Sequence, residues 1–384
     1  MRILLATNWL RIGGIETNIV RLTTVLCRCG HDVTVAAAGG PLVERVRAAG
    51  GRFHEVALDR LGSLDIRNAV RRLSAIVRDR QIEIIHAFSA SSAAALRLAR
   101  LHARFHGRPW PPVVASIMGL RTSPGELPVI TYARALVTTL GAERVFVISP
   151  EIGRLVDRLP VPRTRVFECP VVGVETDLGT GVTAAQMQAV RAELGIPPAA
   201  RVVLTIGNLV PSKSHELFVR AAAKVSEVVP DARFLVVGEG HQRAWLEAEV
   251  DRLGLKGRVQ LIGPRSDIPV LLSLCDVYVR PGILDGFVGI TVLEAQVVGC
   301  PVVSFDTIDV RPAVMHERTG LLVPPGDTDG LAKAMLRLLA DGSLRRSLAV
   351  AARQHVERRF SMRAVVSSLE AAYGEVLRRR LSPT

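Results

Sequence analysis

Short apolar runs alternate along this chain with longer stretches in which apolar residues recur every three or four positions. The first pattern fits strands buried on both faces, and the second fits helices with one apolar side. Strands are expected at residues 2–6, 32–37, 52–56, 82–86, 113–117 and 144–148. Between the first two, residues 16–28 set Ile19, Val20, Val25 and Leu26 at helical spacing. From 161 to 198 the pattern weakens, with prolines at 162, 170, 197 and 198. A second series then places strands at 202–206, 233–237, 259–262, 277–279 and 302–305. Helices follow at 327–340 and 344–357, and Ser361 reads as the N-cap of a last helix ending near 380. The alternation predicts an α/β chain of two doubly wound parallel sheets, each covered by helices. Its domains are expected at 1–175 and 201–358, with a link at 176–200 and a terminal helix within 359–384.

Composition narrows the function. A chain of 384 residues exceeds what one core supports. Aromatic residues are only 4%, which argues against a single-strand nucleic-acid binder built on stacking. Helix-turn-helix and finger patterns are missing too, so no nucleic-acid partner is expected. The formal charge of +13 attracts anions, unless it reflects a general use of Arg. The five cysteines form no C-x-x-C pair, and three lie in apolar surroundings, which fits a reducing, cytoplasmic compartment. Residues 1–6 read as a first strand rather than a signal peptide, and no apolar run is long enough to span a membrane.

The most chemical stretch is 281–303. Gly282, Gly286 and Gly289 run into a helical pattern carrying Glu294, which stops at Gly299 before the apolar Pro301-Val302-Val303. Glycines let backbone N–H groups approach phosphate oxygens, and a helix N-terminus adds partial positive charge. An acid in that helix can hold a ribose, so the parts suit a nucleoside diphosphate. Gly13-Gly14 opens the first helix and reads either as a tight turn or as a second phosphate contact. Lys213 stands just before a helix, either as a solvated lysine or as the partner of a diphosphate. Gly238 ends one strand in a sharp turn, and the backbone near Ile262 ends another, where it can meet a nucleobase edge.

Taken in order, these pieces resemble the retaining glycosyltransferases of family four, which have the GT-B fold. The likeness runs through Gly13-Gly-Ile-Glu16, Gly30-His-Asp-Val33, Leu209-Val-Pro-Ser-Lys213 and Val237-Gly-Glu-Gly240. It continues through Arg258-Val-Gln-Leu-Ile-Gly263, Asp276-Val-Tyr-Val-Arg-Pro281, the helix of Glu294, Gly320–Asp327 and the final Phe360-Ser361. The resemblance implies two Rossmann-like domains facing a cleft, with the last helix crossing back onto the first domain. It implies a UDP- or GDP-sugar as co-substrate, bound mainly by the second domain, and no cofactor or metal. The acceptor would be a glycan, a lipid-linked intermediate or a small molecule. Lys213 and Asp285 would act in catalysis. Gly14, Asn208, Lys213, Gly238, Ile262, Gly289, Ile290, Thr291 and Glu294 would hold the donor.

The chain departs from the family pattern in three places. Asn208 stands where the family carries Arg, Met118 where it carries His, and Gly286 at the register of the first of two acids. Asp285 can replace that acid if the loop is one residue longer. Arg121, Arg265 and Arg280 are candidates to restore the missing charge. These departures support a runner-up reading, a GT-B-shaped binding subunit that has lost catalysis. His86, after the strand at 82–85, is expected to face the ligand end of the sheet as an acid/base or sugar contact, or else to be structural. Residues 96–110 set Arg97, Arg100 and Arg104 beside Leu98, Leu101, Phe105 and Trp110. That pattern reads as a surface helix packed on the sheet, or as an interfacial helix on the inner, anionic face of a membrane.

Overall fold

The structure, a computed structural model, describes residues 1–11, 13–58, 63–117, 128–283 and 289–381. They form two compact units, Met1–Gly173 with Met362–Thr384, and Val174–Ser361.

The first unit alternates strand and helix. Its elements are β1 (Arg2–Trp9), α1 (Gly14–Arg28), β2 (Asp32–Ala38), α2 (Val43–Ala48), β3 (Arg52–Glu55), α3 (Ser63–Asp79) and β4 (Ile84–Ala87). Then come α4 (Ala90–Phe105), β5 (Val113–Ile117), α5 (Pro128–Thr139), β6 (Arg144–Val147), α6 (Pro150–Val156) and β7 (Val166–Glu168). The strands form one parallel sheet in the order β3-β2-β1-β4-β5-β6-β7. Its direction of winding reverses between β1 and β4, the place where ligands of such sheets gather. Strands β1 and β4 to β6 are apolar along most of their length because helices cover both faces.

The second unit begins with α7 (Ala184–Glu193) and β8 (Val202–Ile206). It continues through α8 (His215–Val228), β9 (Arg233–Val237), α9 (Arg243–Arg252), β10 (Val259–Gly263), α10 (Ile268–Leu274) and β11 (Val277–Arg280). Helix α11 (Ile290–Val298), β12 (Val302–Phe305), β13 (Leu321–Val323), α12 (Thr328–Ala340) and α13 (Gly342–Arg359) complete it. Its parallel sheet runs β10-β9-β8-β11-β12-β13, with the reversal between β8 and β11. The core lies between α8, α12 and this sheet, where Phe218 and Phe234 meet edge to face.

Three elements, α7, β7 and β13, have no counterpart in the sequence expectation. The segment read as a link holds α7, capped reciprocally by Thr183 and Gln186. The edge strands β7 and β13 have three residues each, too few for a period to show. The last helix, α14 (Met362–Leu381), belongs to the first unit. It is fastened there by His31–Glu370 at 2.6 Å, Arg144–Glu375 at 2.8 Å and a donation from Arg380 to the Trp110 carbonyl at 2.5 Å. Cys169, Cys275 and Cys300 are buried, with Cys275 and Cys300 in contact at 2.8 Å, and burial pushes the Cys169 thiol up to about 12.

His86 is a correction. The sequence reading aims it at the ligand end of the sheet, but it is 0% exposed. It sits in the middle of β4 on the face that α14 covers. Its Nδ1 lies 2.6 Å from Tyr373 Oη and its Nε2 2.5 Å from Ser116 Oγ, with Phe88 stacked at 4.0 Å. Burial lowers its pKa to about 3, so the ring is neutral at working pH and is a structural centre. The unfolded chain takes up a proton near pH 6.5 that the folded one refuses until about pH 3. The contribution of His86 is therefore present above pH 6.5 and lost as pH falls, by up to about 1.4 kcal/mol per pH unit. Urea midpoints measured from pH 7.5 to pH 5 should fall more steeply for the wild type than for His86→Gln. Equal slopes would remove His86 from the acid sensitivity.

Candidate active site

A cavity opens at the carboxyl end of the second sheet, where the winding reverses. It is lined by Ile206 from the end of β8 and by Lys213 and His215 at the start of α8. Tyr278 and Arg280 from β11, Pro281 and Gly282 after it, and Gly289 and Thr291 at the start of α11 complete the wall. Residues from four segments meet here because β8 and β11 are neighbours in the sheet.

Each wall has a local cause. After β8, a 3₁₀ turn at Pro211–Lys213 leads to Ser214, whose φ of 51° is left-handed. That conformation is uncommon outside glycine and costs on the order of 1 kcal/mol or more. It turns the chain sharply into α8 and leaves Lys213 at the cavity. Behind this loop stands the turn after β9. Gly238 has a φ of +136°, and a Cβ there would stand 2.0 Å from the Gly207 carbonyl oxygen. The Gly238 N–H donates to the Gly263 carbonyl at 2.9 Å, and the Leu209 N–H to the Glu239 carbonyl at 2.9 Å. Gly238 therefore supports the Lys213 loop from behind through its backbone.

On the other side, Gly289 starts α11 with a φ of +74° and, as a glycine, offers the helix no capping side chain of its own. The first N–H groups of α11 and its dipole thus stand beside the cavity. Thr291 Oγ1 lies 2.7 Å from Tyr278 Oη, which fixes the hydroxyl at this wall.

Arg280 adds a second cation. Its Nη1 donates to the Gly282 carbonyl at 3.1 Å and to Thr307 Oγ1 at 3.3 Å, and Nη2 pairs with Asp309. Both partners of that ion pair are almost fully buried. A Cβ on Gly289 would lie 3.5 Å from Arg280 Nε. Arg280 thus adjoins both the residue that begins the glycine loop and the one that ends it. The pair balances its own charge, so Arg280 braces the loop and Lys213 stands in the cavity with the helix terminus. Arg265, another of the three candidates, does not line the cavity. Asp267 and Glu193 engage its guanidinium and hold its pKa above the usual value, so it ties α7 to the loop after β10.

Ile290 is buried at the first position of α11, next to the cavity. Glu294 lies in the second turn of α11 and is 8% exposed. Asn208 is exposed on the loop between β8 and Lys213, and Ile262 is half-buried near the end of β10. Gly14 is exposed at the first position of α1, in the first unit. Asp285, Gly286, Met118 and Arg121 lie outside the described residues. His215, Tyr278, Thr307 and Asp309 carried no sequence signal of their own. They join the site, or its second layer, through sheet order and through the i, i+2 alternation of Tyr278 and Arg280.

The first sheet has a polar group at its own reversal. Ser89 caps α4 in a reciprocal box with Ser92, and Ser89 Oγ donates to Asn8 Oδ1 at 2.5 Å. Ser91 Oγ also donates to Asn8. Spacing alone gave no hint of Asn8, because its partners lie at the start of α4, after the neighbouring strand β4. Among the described residues, no group of three or more His, Cys, Asp or Glu side chains is placed to hold a metal ion.

Comparison with known proteins identifies both units. Residues 13–171 match the family described as glycosyl transferase 4-like domain, and residues 186–355 match glycosyl transferases group 1. Among curated relatives, an N-acetyl-alpha-D-glucosaminyl L-malate synthase of Bacillus anthracis is 30% identical over 192 residues, 50% of each chain. A D-inositol 3-phosphate glycosyltransferase of Stackebrandtia nassauensis is 30% identical over 267 residues, 67% of this chain and 57% of that protein. The chain thus spans about half the length of the curated relatives it matches. Among solved structures, HepE of Anabaena in complex with UDP superposes with a TM-score of 0.83 at 20% identity, covering 98% of this chain and all of that one. Sucrose-phosphate synthase of Thermosynechococcus elongatus gives 0.81 at 21% identity, covering 99% and 100%. The chain belongs to the GT-B glycosyltransferases, its first unit as a glycosyl transferase 4-like domain and its second as a group 1 glycosyl transferase domain.

Proposed function

We propose that this chain is a retaining hexosyltransferase that moves a sugar from a UDP- or GDP-sugar to a glycan, a lipid-linked intermediate or a small acceptor. The observation that carries the reading is the cavity at the reversal of the second sheet, where Lys213 and the start of α11 at Gly289 stand together. A diphosphate leaving group gathers negative charge as the sugar departs. A lysine and backbone N–H groups fixed in advance stabilise that charge without reorganisation. Glu294 would hold the ribose and Ile262 the edge of the base. Asp285 would bind the sugar hydroxyls. Attack would come from the face that the nucleotide leaves, which preserves the anomeric configuration.

The charge on the diphosphate needs no metal in this scheme, so turnover should persist in EDTA. A neighbour in fold was crystallised with UDP-glucose, which makes uridine donors the first to try. The test is a thermal-shift screen across UDP-, GDP-, ADP- and TDP-sugars. A donor present at about a hundred times its dissociation constant should add roughly 2.7 kcal/mol of stability. No shift with any donor would remove the nucleotide-sugar reading. Binding without turnover on any acceptor would favour the non-catalytic subunit.

A further inference from the structure

We propose that the outer end of α4, together with the last turn of α14, is a docking surface for an anionic lipid membrane. The inference stands on the first unit alone and does not rest on the activity proposed above. Helix α4 packs inward through Ala93, Ala95, Leu96, Ala99 and Ala103, all buried. Its outer face carries Leu98, 44% exposed, Leu101, 53%, and Phe105, 87%. These positions, i, i+3 and i+7, form one stripe. Phe105 is the most exposed large apolar side chain among the described residues. A stripe that packed on the sheet would be buried, and this one is not.

Cations surround the stripe. Arg97, Arg104 and Arg108 are exposed along it. The fold adds a group that lies far away in sequence. Arg380 donates to the Trp110 carbonyl at 2.5 Å, which brings the exposed Arg378, Arg379 and Arg380 to the turn that follows α4. No Asp or Glu occurs in residues 90–110 or 376–384. Of the carboxylates on adjoining elements, Glu143 pairs with Arg100, and Glu375 pairs with Arg144 and Arg379. Two residues of the sequence pattern drop out. Arg100 is engaged by Glu143, and Trp110 is 6% exposed and buried in the fold.

A phenyl ring and two leucines standing out among guanidinium groups match a bilayer interface, where hydrocarbon lies beneath phosphate. The phosphate backbone of a nucleic acid would match the arginines and leave the leucines unused. Each basic residue close to such a surface adds about fivefold to binding, and the effect fades over a Debye length of about 8 Å at physiological salt. The attachment is therefore reversible and salt-sensitive. No helix among the described residues is long and apolar enough to cross a membrane.

The experiment is co-sedimentation of the full chain with phosphatidylcholine vesicles, with and without phosphatidylglycerol, over a salt series. Binding should need the anionic lipid and weaken at least about tenfold from low to high salt. Leu101→Ser/Phe105→Ser should weaken it at every salt concentration. Arg378→Gln/Arg379→Gln, which keeps the Arg380 tie to Trp110, should weaken it mainly at low salt. Circular dichroism and melting should show both variants folded, since the altered side chains are exposed. A wild type left in the supernatant at low salt overturns the proposal. So does binding that neither variant changes. Vesicle binding that DNA displaces, with the Leu101→Ser/Phe105→Ser variant holding DNA as well as wild type, would make this a nucleic-acid face. A dimer in sedimentation velocity that Phe105→Ser dissolves would make it a contact between copies.

Discussion

Lys213→Ala is expected to lower kcat by about 10²–10³-fold while leaving the melting temperature unchanged. Lys213 sits on a 3₁₀ turn at the rim of the cavity, partly exposed and outside the core. The fold should therefore survive the loss of this side chain. In the proposed reaction, its ammonium would face charge that grows as the diphosphate leaves. An interaction that strengthens in the transition state lowers kcat when it is lost, whereas one present throughout raises KM. Glu294→Ala should show the second pattern, because a ribose hydroxyl is bound equally before and during the reaction. Lys213→Arg should recover only part of the rate, since a planar fork does not replace a compact point charge. Steady-state kinetics on the three variants separate these roles. A folded Lys213→Ala enzyme with wild-type kcat would dissociate the cavity from the chemistry.

Gly238→Ala should be the most damaging small change in the second unit. Two independent facts forbid a side chain there. Its φ of +136° is one that L residues rarely adopt, and the added carbon would overlap the Gly207 carbonyl oxygen at 2.0 Å. Backbone atoms cannot rotate away as a side chain can, so the loop carrying Lys213 must shift. A loss of about 3–5 kcal/mol is expected, at the upper end of what one substitution does. Urea denaturation reads the stability, and nucleotide-sugar affinity reads the displaced loop. A variant with wild-type midpoint and affinity would show that the two turns are free to separate.

The parallel strands were legible because both faces of each are covered, which leaves unbroken apolar runs in the sequence. Val202–Ile206 and Arg233–Val237 fall where the pattern puts them. The edge strands were not legible. Val166–Glu168 is three residues with a charged end, and Leu321–Val323 is too short to show a period. Helix Ala184–Glu193 was hidden among turn residues, although the Thr183-x-x-Gln186 capping box marks its start. In the site, what is local was readable: the glycine loop running into a helix, and the lysine after a strand. What depends on sheet order was not. Nothing near His215 or Tyr278 in sequence says that β8 and β11 are neighbours. Arg280 stood out only as a spare charge, and its pairing with Asp309 comes from a loop 29 residues away. His86 shows the same limit in reverse. Strand alternation assigns it a face, but that face is closed by Tyr373, 287 residues later.

The proposed reaction is transfer of a sugar with retention by a site built on Lys213. The most direct measurement is proton NMR of the anomeric signals during turnover of an α-linked nucleotide sugar with an accepted acceptor, on wild type and Lys213→Ala. The first product formed should carry the α configuration, nucleoside diphosphate should accumulate in step with it, and both signals should nearly vanish in Lys213→Ala. A first product of β configuration, or α product formed at an undiminished rate by the variant, would contradict it.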